Sequence, residues 1–150
     1  MGELSCFVPD AYTYVTFNTK YDSHGKVWMQ AYAHAELTAL TPYKIIANEY
    51  GQITAALADD TKYYYVGVPK TTVASGATAW LQIGGYVVDM VTPALDLEVG
   101  HALKVYDGAV ADVGADYTGA ASEFAVATVA GGSVSVQTVM LVPERILSTT

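Results

Sequence analysis

A chain of 150 residues is long enough for one domain with a real core and short for two. Fifteen acids against seven bases give a net charge of −8, and the bases stand singly. The clustered Lys and Arg that displace counterions from a polyanion are therefore missing, which argues against nucleic acid as a partner.

No uninterrupted apolar run approaches the ~20 residues of a membrane-spanning helix. The segment Met1 to Asp10 has neither a basic start nor an apolar stretch of signal-peptide type, so the expectation is a soluble protein made in a cytoplasm. A single cysteine, Cys6, leaves no internal disulfide and reads as a small hydrophobe. Charged residues make up 15% of the chain, well under the roughly 25% usual for soluble domains. Such a composition suits a protein that hides surface against neighbours. Twelve tyrosines argue against disorder.

In chain order, residues 1–22 (MGELSCFVPDAYTYVTFNTKYD) alternate apolar and polar positions without a hairpin pattern. They read as an extended N-terminal arm able to add a strand to a partner, with Phe7, Tyr12 and Tyr14 as candidate contacts. An ordinary fraying terminus is the plainer alternative. Residues 27–38 (VWMQAYAHAELT) place Val27, Met29, Ala31, Ala33, Ala35 and Leu37 at every second position, the period of a half-buried strand. A short helix remains open there, because Ala, Met, Gln, Glu and Leu are good helix formers.

Tyr43 to Ala47 and Gln52 to Leu57 flank Asn48-Glu49-Tyr50-Gly51 as a hairpin. Tyr63 to Val68 is an aromatic and β-branched strand, Ala74-Ser75-Gly76 a turn, and Ala77 to Ile83 the next strand. Strands over Tyr86 to Val91, Ala102 to Tyr106, Glu123 to Val129 and Ser133 to Val142 complete the pattern, with turns at Asp96 to His101, Asp107-Gly108 and Ala130 to Gly132. Strands separated by regular turns, without an amphipathic helix, indicate an all-β fold: a compact barrel or sandwich of short antiparallel strands. The boundaries are an arm over 1–22, a β-domain over 23–142 and a tail over 143–150. Residues 63–85 and 123–142 share an outline of strand, small-residue turn and strand, and read as two equivalent hairpins.

Each constellation of chemical residue types has a plainer reading. Gly67, Gly84 and Gly85 lack the spacing of a phosphate cradle and lack a following helix; a bend where a strand turns a barrel corner fits them better. His24, His34 and His101 stand alone. Asp107, Asp112 and Asp116 are too sparse for a calcium loop and read as loop aspartates, with a weak surface metal site left open. No serine sits in a nucleophile elbow. The expectation is a protein without catalysis or cofactor.

The triple tyrosine Tyr63, Tyr64 and Tyr65 alternates faces, Tyr63 and Tyr65 to one side and Tyr64 to the other. It is the strongest candidate for an oligomer contact, because tyrosine combines rigid area with a polar handle. A core face backed by plain surface is the alternative. Trp28, Trp80 and the tyrosines leave a carbohydrate-stacking platform conceivable.

The stretch from Leu37 through Gly85, the segment LEVGHALKVYDGAV and the closing FAVATV and VSVQTVML strands together resemble small capsid decoration (cement) proteins of tailed bacteriophages. The resemblance spans about residues 27–142. It implies a homotrimeric β-barrel-like protein on the outer capsid of the virion, bridging neighbouring major capsid subunits, with extended terminal arms and no catalytic residues. A tail-tube or fibre-associated virion module and a carbohydrate-binding sandwich are the alternatives. Nucleic acid and membrane are not expected as partners.

Overall fold

The computed structural model describes residues 18–47, 53–57, 65–106, 109–116 and 123–142. The ten strands are β1 (Thr19–Tyr21), β2 (Val27–Ala33), β3 (Tyr43–Ala47), β4 (Ile53–Leu57), β5 (Tyr65–Pro69), β6 (Thr78–Leu97), β7 (His101–Tyr106), β8 (Ala109–Asp116), β9 (Glu123–Ala127) and β10 (Gly131–Leu141). The all-β expectation holds, and the described residues form no helix.

The first half closes on itself. β2 pairs in parallel with β4, β4 with β3, β3 with β5, β5 with β6, and β6 returns to β2, the last four ladders being antiparallel. A closed ring leaves few backbone groups unpaired at an edge, which β-proteins must manage. The alternation in β2 does what the period implies: Met29, Ala31 and Ala33 point inwards and join Leu37, Tyr43, Ile45, Ala55, Leu81 and Ile83 in one buried cluster. β2 ends at Ala33, earlier than the pattern to Thr38 suggests. His34, Ala35 and Glu36 are exposed, and Leu37 is held by an isolated bridge to Val73.

The second half is an antiparallel sheet in the order β6–β10–β9–β7–β8. Its core gathers Met90, Leu97, Leu103, Val110, Phe124, Val139 and Leu141, together with Val66 and Val68 from β5. β5 therefore lies between two cores. Tyr65 packs against the barrel interior, and a side chain at Gly67 would also point there, whereas Val66 and Val68 serve the other cluster. A strand buried on both faces reads as a continuous apolar run, and YVGVP does so.

β6 joins the halves. The sequence divides it into strands ending at Ile83 and beginning at Tyr86, but it runs unbroken for 20 residues. Thr78 to Gly84 serve the barrel, and Gly85 to Leu97 pair with β10. It continues past Pro93, where a strand end would be expected, because the β6–β10 register slips between Val91 and Leu95; Pro, having no N–H to donate, is tolerated at such a bulge. A second slip lies at Val88-Asp89, where Asp89 takes a φ of 57°.

β8 corrects the loop reading of Asp112 and Asp116, while Asp107 lies outside the described residues. Ala109–Asp116 pairs along β7 as the outermost strand of its sheet. Its Asp and Gly residues look like loop because an outermost strand need satisfy only one side. Likewise Thr19–Tyr21, within the segment read as arm, forms a short edge strand on β2. The two hairpins matched by sequence outline are both antiparallel pairs, β5–β6 and β9–β10.

Candidate functional site

The bend in β6 organises the surface around it. Gly85 has a φ of 89°, which side-chain-bearing residues rarely adopt. A Cβ there would stand 3.2 Å from Lys26 Cα and 3.3 Å from the Gly25 carbonyl oxygen, so the turn between β1 and β2 rests directly on this glycine. The buried Gln82 fixes the bend: its side-chain amide donates to the carbonyls of Gly84 (3.0 Å) and Tyr86 (3.1 Å). Backbone carbonyls that a bend removes from the ladder need a substitute donor, and Gln82 supplies it. The sequence reading of these glycines as a corner is what the geometry shows.

The turn itself is built on Asp22. One carboxylate oxygen accepts the backbone N–H groups of His24 (2.8 Å) and Lys26 (3.0 Å), and the other accepts the Trp28 indole N–H at 3.1 Å. The Trp28 hydrogen bond, followed by the two backbone bonds and the charge of His24, holds the Asp22 carboxyl below its ordinary value, with desolvation opposing.

Between this turn, β6 and the segment around Leu40 lies an open cleft of about 440 Å³. Leu40 has a φ of 60° and crosses from barrel to sheet, its N–H donating to Pro69 (2.7 Å) and its carbonyl accepting from Val91 (2.8 Å). Leu40, Val68 and Val87 give the cleft an apolar floor, while His24, Lys26 and Lys70 stand at its exposed side.

A second surface lies on the outer face of β6 and β10. Tyr86 opposes Met140 and Val91 opposes Val136 across the ladder, and with Val88 these side chains are between 39% and 53% exposed. Exposed apolar side chains grouped along one ladder of an acidic protein are the kind of surface that an interface covers.

Of the residues singled out from sequence, Tyr65 is half-buried against the barrel core. Tyr63, Tyr64, Phe7, Tyr12 and Tyr14 lie outside the described residues. Trp28 and Trp80 are engaged within the protein: Trp28 donates to Asp22, and the Lys20 ammonium sits 4.3 Å from the Trp80 ring centre. His101 Nδ1 lies 3.2 Å from Asp112 Oδ2, whose other oxygen accepts the Gly114 N–H. Among the described residues no three His, Cys, Asp or Glu side chains converge as a metal would require. Both the cleft and the strip escape sequence reading, because each joins residues distant in the chain.

No protein-family profile matches this sequence, and no curated protein matches it. Among solved structures it is similar to the base of a virion appendage, the head fibre gp8.5 N base of bacteriophage phi29. The two share 17% identity and a TM-score of 0.53, over 80% of this chain and 97% of that one. At this identity the likeness is one of fold.

Proposed function

We propose that this chain is a structural protein of a tailed-phage virion, seated on the outer head surface as a decoration protein and assembled as a homotrimer on the major capsid protein. The observation that carries the reading is the fold shared with a phage head-fibre base across nearly all of that domain. The low charge and the exposed apolar strip on β6 and β10 support it, since both suit a surface that assembly covers. The role has no catalytic step: a protein that binds only the assembled lattice stabilises that lattice by mass action.

The same likeness favours a second reading, in which the domain is the base of a fibre rather than a cement. Virions lacking the protein separate the two. A decoration protein leaves heads that rupture at lower temperature, whereas a fibre base leaves heads of unchanged heat resistance without their projections. Purified virions whose heads contain no copy of the chain would overturn both. The native mass in solution tests the trimer.

A further inference from the structure

We infer that residues 1–17 of one copy dock in the junction cleft of a second copy, the inference resting on the self-assembly proposed above and naming its contact. The cleft carries Lys26 and Lys70, two of only seven bases in the chain, together with His24. Among the described residues neither ammonium has a carboxylate within 4.0 Å. Asp22, which also borders the cleft, stays ionised on the backbone N–H groups of His24 and Lys26 and the Trp28 indole, so the two lysines outnumber the one carboxylate. The cleft therefore presents positive charge above an apolar floor of Leu40, Val68 and Val87.

Residues 1–17 have the complementary chemistry. They contain Glu3 and Asp10 and no Lys, Arg or His, with Leu4, Phe7, Val8, Tyr12 and Tyr14 as apolar groups. Opposite charge fixes register and partner, while burial of the aromatics supplies affinity.

Strand direction favours a neighbour's cleft over the chain's own. β1 runs antiparallel to β2, with Thr19 against Met29 and Tyr21 against Val27. Asn18 is tied to Gln30, farther from the 22–26 turn that borders the cleft. β1 thus begins at the end remote from its own cleft, and entry into that cleft needs a reversal of direction that entry into a neighbour's does not. Seventeen residues extend up to about 60 Å, ample to reach a second molecule.

Cys6, the one cysteine, makes the contact testable. Val88 lines the cleft and is 53% exposed, so Val88→Cys places a thiol there and keeps both lysines. Mild diamide oxidation of the full-length variant is expected to give a ladder of disulfide-linked chains on a non-reducing gel. Wild type can form only Cys6–Cys6 dimers, and Val99→Cys, in the exposed turn after β6, should give no comparable ladder. Adding Lys26→Glu and Lys70→Glu should abolish the ladder, and Glu3→Lys with Asp10→Lys should restore it. A fast-migrating cross-linked monomer would show docking in the same chain and overturn the inference, as would equal ladders from Val88→Cys and Val99→Cys, or none. The readout is independent of the virion: heads without the protein overturn the proposed function while leaving the ladder to stand.

Discussion

Single residues hold the junction between barrel and sheet in place, and the Asp22 turn is the most exposed to solution conditions. Because hydrogen bonding keeps its carboxyl below the ordinary 3.8, its contribution is complete above the unfolded value and is lost as pH falls through the folded one. The Trp28 indole N–H resonance should therefore shift on acidification below about pH 3.8 in the wild type, and Asp22→Ala should remove that titration. An unchanged acid shift in the variant would refute the assignment. Gly67 is constrained by space alone. A Cβ there would lie 2.7 Å from Leu81 Cβ and 2.8 Å from Ile45 Cδ1. Overpacking of this kind costs about 1–3 kcal/mol, so Gly67→Ala should lower the denaturation midpoint, a change that chemical unfolding measures directly.

At the scale of elements, β6 carries the architecture, and its bend depends on one buried amide. Gln82→Leu keeps the side chain's bulk but leaves the Gly84 and Tyr86 carbonyls without their donor. The expected loss is about 1–3 kcal/mol, the cost of unsatisfied buried polar groups. Hydrogen exchange should rise on both sides of the bend; exchange unchanged at Gly85 and its neighbours would show that the bend stands without Gln82. The same element shows what sequence can and cannot display. The glycine pair was legible as a corner because neither cradle spacing nor a following helix was present. Strand continuity through it was not, because glycine pairs and Pro93 are also what end strands; only the pairing with β2 on one side and β10 on the other reveals a single element. β8 was misread for a related reason, since an outermost strand can carry the aspartates and glycines of a loop.

For the molecule as a whole, the apolar strip and the cleft face outwards on a chain of net charge −8. Tyr86→Ser with Met140→Ser removes a half-exposed cross-strand pair, a loss of about 1 kcal/mol that the fold should tolerate. On the proposed decoration role, the double variant should fold normally by circular dichroism yet occupy fewer positions on purified heads, as counted by quantitative gel densitometry. Full occupancy would show that this strip is not the covered face. The candidate contacts read from sequence divide differently: Tyr65 belongs to the barrel packing, while the arm residues enter through the cleft argument rather than through the triple tyrosine.

The sequence by itself determined that this is an all-β protein. It did so through the two-residue period of VWMQAYA, the turn at Ala74-Ser75-Gly76 and the absence of any helical period, all of which are local properties of a few consecutive residues. It also placed β3, β4 and β7 within a residue or so, because turn residues flank each of them. Tertiary structure alone decided that β2 pairs in parallel with β4, that the first half closes into a ring, and that β5 is buried on both faces between two cores. The physical reason is that backbone pairing is nearly indifferent to sequence, so which strands meet is settled by how the apolar faces of the entire chain are buried together.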